Sequence, residues 1–259
     1  TLTDCTFTNN MASASGGGMF NGESDPILTN CTFENNTSSV SGGGMVNTGS
    51  SPTLTDCTFT NNTANYGGGM WNYEVSRPTL TDCIFTNNTA NYSGGGMYNE
   101  YNSNPTLTDC TFTGNTTANS KYSSGGGMYN RQGSSPTMTN CKIANNTAIY
   151  GGGMYNIHHS NPTLTNCMIT NNTAINGAGM YIVSCNPTLN NTCVEDGVVL
   201  NNTWNPTAID LGTDSQCFEP DLFTGTYESL TLDIDDFTLP DPRIDSQGEM
   251  YRDGGLLIE

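Results

Sequence analysis

Thiols and hydroxyls recur at one spacing in this chain. Cys5, Cys31, Cys57, Cys83, Cys110, Cys141 and Cys167 follow one another at intervals of about 26 residues. Asp4, Asp56, Asp82 and Asp109 precede four of them, and Asn30, Asn140 and Asn166 hold the equivalent place. Paired carboxylates suit general acid-base work. Here, however, Asp exchanges freely with Asn, which points to a shared bend and away from proton transfer. His158 and His159 are adjacent, and a strand-like backbone would splay them apart. The bases Arg77, Lys121, Arg131 and Lys142 are scattered over separate repeats. No catalytic residue is assigned, and the expectation is a protein that is not an enzyme.

Other groups offer binding chemistry. Asp233, Asp235 and Asp236 supply hard oxygen ligands of the kind calcium takes, although their spacing fits no complete EF-hand loop; no other cofactor is expected. Asn30, Asn35, Asn61, Asn87, Asn115, Asn145, Asn171 and Asn201 each begin an Asn-x-Ser/Thr sequon, a glycan acceptor in a secretory host. Two threonine columns, Thr53, Thr79, Thr106, Thr137 and Thr163 beside Thr55, Thr81, Thr108, Thr139 and Thr165, would form an exposed Thr-x-Thr array. Its spacing would be ~4.8 Å between repeats and ~6.7 Å along the strand. Such an array resembles the ice-binding face of antifreeze β-solenoids.

These residues need a scaffold that stacks equivalent positions. The unit is Thr53–Asn72, TLTDCTFTNNTANYGGGMWN, recopied from Thr1 to about Pro187. Repeats of this length define a solenoid. Apolar residues alternate with threonine, the period of a half-buried strand, and the Gly and Asn-Asn runs oppose helix. Leu54, Cys57, Phe59 and Met70 should point inward, with Asp56 and Asn61-Asn62 at bends. The inward Asn of each pair should form an amide ladder, because a buried amide needs partners. The expectation is an all-β chain, a right-handed parallel β-helix with three short strands per coil of about 26 residues. Residues 1–187 make seven coils, 188–217 a degraded terminal coil or cap, and 218–259 an acidic tail with one or two strands.

The Phe-x-x-Asn segments (Phe7–Asn10, Phe33–Asn36, Phe59–Asn62, Phe85–Asn88, Phe112–Asn115) and the Gly-Gly-Gly-Met segments resemble the paired repeats of polymorphic outer-membrane proteins. The wording from Asn161 to Tyr181 is similar to β-helix repeats of large bacterial surface and secreted proteins. The resemblance implies the fold and says little of activity, since β-helices host adhesins, lyases and stalks alike.

The formal net charge is -18, from Lys+Arg 6 against Asp+Glu 24. Residues 1–187 hold 9 acids and 4 bases, and residues 188–259 hold 15 acids and 2 bases, so the repeats are nearly neutral and the tail acidic. That balance disfavours nucleic acid and anionic membrane as partners. No apolar run approaches a membrane span. The column cysteines read as small buried hydrophobes, and a column offers one ligand per coil and no tetrahedral zinc set. Cys193 and Cys217 are a candidate disulfide.

The expected function is a non-enzymatic extracellular or cell-surface structural or adhesion solenoid, with glycans as candidate partners. A carbohydrate-active β-helix and an ice-binding protein are the alternatives. The chain begins inside a repeat, as a mature or truncated piece would. Leu2, Cys5 and Phe7 would then face out along the axis, and Leu230, Leu232 and Ile234 could lock a neighbour's edge. Both point to end-to-end self-association and fibre formation.

Overall fold

The structure, a computed structural model, describes residues 1–118, 121, 123–195, 197–200, 243–244 and 250–251. The chain divides into two compact units, Thr1–Cys217 and Phe218–Glu259. The described residues of the first unit form a parallel β-solenoid without helix.

In the third coil the strands are Thr53–Thr55, Thr58–Thr60, Thr63–Tyr66 and Met70–Tyr73. Three of them pair in register with their equivalents in neighbouring coils, Leu54 with Leu28 and Leu80, Phe59 with Phe33 and Phe85, Met70 with Met45 and Met97, while Thr63–Tyr66 shifts by one residue against Thr89–Ser93. This builds three eight-stranded sheets and one of five strands, ordered as in the sequence. We call them A to D in the order the third coil visits them. Sheet C corrects the expectation of three strands per coil. Its members (Met11–Ala12, Thr37–Ser38, Thr63–Tyr66, Thr89–Ser93, Thr116–Thr117) make a fourth strand in the first five coils. In the sixth and seventh coils only isolated bridges, at Thr147, Tyr150, Thr173 and Asn176, continue it. The Thr-Ala wording is too short and too polar to declare a strand by itself. The coil beneath supplies its pairing.

The bends explain the Asp, Asn and Gly columns. Asp4, Asn30, Asp56, Asp82, Asp109, Asn140, Asn166 and Asn191 all take positive φ. So do Asn9, Asn35, Asn61, Asn87, Asn145 and Asn171 at the next corner, with Gly114 in the fifth coil. Asn, Asp and Gly tolerate the left-handed region best. In the Gly triplet of the third coil, Gly67 has φ +59, while a Cβ on Gly68 would sit 2.5 Å from the carbonyl oxygens of Gly95 and Thr89. The first glycine is required by backbone angle and the second by the coil stacked upon it.

The interior is a set of columns. Leu28, Leu54, Leu80 and Leu107 are fully buried, as are Phe33, Phe59, Phe85 and Phe112, Met45, Met70, Met97 and Met128. The phenyl rings stack 4.6–4.7 Å apart and within 4° of parallel. Inward polar groups are satisfied along the axis. Asn62 Nδ2 donates to Asn88 Oδ1 and to Phe33 O, and Asn88 Oδ1 also accepts from the Asn62 amide. The expected amide ladder therefore uses the second Asn of each pair. A second ladder, which the sequence reading did not anticipate, runs Asn21, Asn47, Asn72, Asn99, Asn130, Asn156. A serine column (Ser50, Ser76, Ser103, Ser134) accepts backbone N–H bonds at the fourth corner.

Thr188–Asn190, Cys193–Val194 and Val198–Leu200 add an eighth, incomplete coil to sheets A, B and D. The expected strand at Ala208–Leu211 lies outside the described residues. In the second unit, Arg243–Ile244 pairs antiparallel with Met250–Tyr251. Ser229–Phe237 lies outside the described residues.

Candidate functional site

Among the described residues, aromatic and ionisable side chains gather on the outer face of sheet D and its following corner. In the first six coils the sheet D strand alternates an inward Met, an outward residue and an inward Asn, and in the seventh Ile182 takes the place of the Asn. The first outward column reads Phe20, Val46, Trp71, Tyr98, Tyr129, Tyr155, Tyr181 by register. Its tyrosines stack with centroids 4.8–5.2 Å apart. Tyr66 meets Tyr98 edge-on at 5.6 Å, and Tyr73 meets Trp71 at 4.9 Å and Tyr101 at 5.2 Å. The strip is thus widened from both sides.

Charge enters at the corner. Arg131 Nη1 lies 3.4 Å from Glu100 Oε1 of the coil below. Burial raises the Glu100 carboxyl above its ordinary range, while Arg131 opposes the rise. Burial also pushes the Tyr98 phenol up, with Glu100 adding to the effect, and it is the first cause of the rise at Tyr129. His158 is pushed down, first by burial and then by Arg131 and His159. Arg131 Nε, Gln132 Oε1 and Trp71 Nε1 are buried atoms without a hydrogen-bond partner. Around neutral pH the corner offers a guanidinium, protonated phenols and an uncharged imidazole over an aromatic floor. Such a surface can stack a ring and donate hydrogen bonds to it.

This revises two expectations. The bases are scattered in sequence, yet stacking brings Arg131 against Glu100 and under the influence of His158. The two histidines are not strand-like, because both take positive φ, 55° and 62°. Sequence reasoning passed over Glu100, Tyr98 and Tyr129. The signal for the tyrosines was the slot after the Gly-rich triplet and its Met, filled by Tyr in four successive coils, whereas Glu100 carried none.

The remaining candidates fall into place by column. The Asp column is exposed, and where an Asn follows it bridges coils, as Asn30 Nδ2 does to Asp4 Oδ1 at 2.7 Å. The thiols of Cys31, Cys57, Cys83, Cys110, Cys141 and Cys167 are buried and free, and Cys5 is half-buried and free. Cys57 Sγ donates to Thr55 O at 3.3 Å, and the same contact recurs in each coil. The hydrogen-bonding neighbour Cys110, then burial, hold the Cys141 thiol up at about 12.

The Thr array is only partly exposed. Thr53, Thr79, Thr106 and Thr137 are exposed, but Thr163 is half-buried, as are Thr55, Thr81, Thr108, Thr139 and Thr165, each covered by its neighbours above and below. Among sequons, Asn30, Asn35, Asn61, Asn87, Asn145 and Asn171 are exposed. Asn115 is corrected: Gly114 has taken the corner, so Asn115 is the inward ladder amide, fully buried. Cys193 is disulfide-bonded. Cys217, Asn201, Asp233, Asp235, Asp236, Leu230, Leu232 and Ile234 lie outside the described residues. Leu2, Cys5 and Phe7 are half-buried in the first coil, beside Met11 and Phe20, which are 84% and 57% exposed.

In class the chain is a right-handed parallel β-helix. The family described as right handed beta helix region matches residues 1–125, and the same coil continues in register through the seventh repeat. No curated protein matches the chain. Among the described residues, no helix is long and apolar enough to cross a membrane.

Proposed function

We propose that this β-helix is a non-enzymatic extracellular or cell-surface protein, a rigid spacer that makes repeated weak contacts and associates end to end. The observation that carries the reading is the register of its outer columns. Thr53, Thr79, Thr106 and Thr137 present one hydroxyl per coil on sheet A, and Tyr129, Tyr155 and Tyr181 one half-exposed aromatic ring per coil on sheet D, stacked on the covered ring of Tyr98. Identical contacts at a fixed spacing multiply individually weak affinities. Glycans fit the tyrosine strip, since sugar rings carry apolar faces and hydroxyls together. The Phe-x-x-Asn and Gly-Gly-Gly-Met wording, similar to surface-protein repeats, agrees with this placement. The apolar end formed by Leu2, Phe7, Met11 and Phe20 accepts another coil. In a solution of this chain alone, that coil is a second copy's.

A glycan array, with turnover assayed on the same polysaccharides, tests the reading. Binding that weakens on Tyr129→Ala without any product supports it. Turnover abolished by Arg131→Ala or Glu100→Gln would establish instead the carbohydrate-active reading. The specific support for that alternative is the Glu100–Arg131 pair beside raised phenols. Mass measurement over a concentration series tests assembly; a monomer at every concentration would overturn end-to-end association. Thermal hysteresis of the purified chain tests the ice-binding alternative, whose support is the exposed half of the threonine array.

A further inference from the structure

The buried thiol column has no part in the reading above. Its seven sulfurs occupy one inward position in successive coils, from Cys5 to Cys167. Thr192 closes the column: its hydroxyl meets Asn190 O and accepts from the Cys167 amide. The coil spacing is measured two residues away, where the phenyl centroids of Phe7, Phe33, Phe59, Phe85 and Phe112 stand 4.6–4.7 Å apart. A metal–thiolate bond is ~2.3 Å, so two such bonds in a straight line span ~4.6 Å. The column therefore spaces its sulfurs as the two ligands of a linear, two-coordinate metal ion. It cannot serve a tetrahedral one, and among the described residues no three His, Cys, Asp or Glu side chains converge on a metal position.

We propose that the thiol column is a binding site for soft, two-coordinate cations, each held between the sulfurs of adjacent coils. Thiolate sulfur selects soft ions. With a divalent ion such as mercury(II), two thiols lose their protons, two S–metal bonds form, and the product is an uncharged S–metal–S unit with two protons released to solvent. Neutrality matters because the site is dry, and a bare thiolate pair there would be costly. No hydrogen-bonding group is stranded. The carbonyl that the thiol proton leaves, Thr55 O beside Cys57, also accepts the Asn30 amide at 2.9 Å. Each sulfur serves one ion, so ions occupy alternate gaps and seven sulfurs take three ions. Cys185 stands over Ser160, outside this column.

The arrangement makes a parity prediction that independent thiols do not. Removing the second, fourth or sixth sulfur (Cys31, Cys83, Cys141) leaves two odd runs and costs one ion. Removing the first, third, fifth or seventh (Cys5, Cys57, Cys110, Cys167) leaves even runs and costs none. The experiment is native mass spectrometry of the full, folded chain with mercury(II), in the presence of a competing monothiol that strips singly held ions. Far-UV circular dichroism confirms that the coil persists. Three ions on the unaltered protein, two on Cys83→Ser and three on Cys110→Ser are expected, with Cys83→Ala and Cys110→Ala repeating the pattern. X-ray absorption on the unaltered protein should show two sulfur neighbours per ion, independently of any variant. Loss of one ion at every position, no retention against the monothiol, or uptake only with loss of the folded spectrum would each overturn the proposal.

Discussion

The third and seventh coils carry nearly the same sequence and live under different rules. In the third, Gly67-Gly68-Gly69 lies beneath a full neighbour, and a Cβ on Gly68 would collide with two carbonyl oxygens of the fourth coil. In the seventh, the last complete coil among the described residues, the triplet reads Gly177-Ala178-Gly179, and Ala178 is half-buried. The amide ladders differ in the same way. Asn72 passes its Nδ2 to Asn99 Oδ1. Asn156 would pass its own to the seventh coil, where Ile182 stands in register and offers no acceptor, so Asn156 Nδ2 is buried without a partner. A repeat residue is thus fixed less by its own coil than by the one stacked on it.

The comparison can be broken most severely at the middle glycine. Gly68→Ala should destabilise the solenoid by upwards of about 4 kcal/mol, since the clash is with backbone on two sides. Ala178→Gly should cost under about 1 kcal/mol, the ordinary entropy of an added glycine. Denaturant titration of both variants checks the pair, and equal effects would refute the stacking argument.

Next in size are the ladder amides. Asn88→Ala removes an acceptor from Asn62 and a donor from Asn115 in a dry interior, and should cost about 2–4 kcal/mol. Asn156→Leu deletes an unpartnered donor while stranding that of Asn130, so the vacancy moves one coil down. Its cost should stay near or below about 1 kcal/mol by the same measurement.

The thiol column sharpens the comparison through pH. Cys141 titrates at about 12 in the fold, against an ordinary thiol value of 9.0. Between those values the unfolded chain loses protons that the folded chain keeps, so stability is full below pH 9 and falls as pH rises toward 12. Cys141→Thr, which copies Thr192 of the eighth coil, should remove one thiol's share of this sensitivity while Cys83 and Cys110, also pushed up to about 12, keep theirs, so that stability falls between pH 8 and pH 10 by about 1 kcal/mol less than in the unaltered protein. Smallest is the corner: Arg131→Ala loses a partly exposed pair worth about 0.2–1 kcal/mol.

The columns were legible in the sequence because each inward slot repeats a residue type: Leu, Cys, Phe and Met announce the core, and Asp or Asn announces the bend. What escaped was whatever depends on two coils at once. The fourth strand at Thr63–Tyr66 is a sheet only because Thr37 and Thr89 lie beside Thr63. The second ladder at Asn72 hides behind an ordinary Met-Trp-Asn wording. Asn115 looked like a surface sequon until Gly114 was seen to hold the corner. Glu100 and Arg131 are far apart along the chain, and nothing but coil spacing makes them partners.

The ladders also have a direction. From Asn21 to Asn130 every side-chain amide of the second ladder donates toward the later coil, and from Asn47 to Asn156 every one accepts from the earlier coil. The ladder opens at the Asn21 carbonyl oxygen and stops inside the coil stack, where Asn156 Nδ2 lies beneath Ile182. Every rung points the same way, so side chains give the solenoid an axial polarity of the kind that aligned peptide units give a helix.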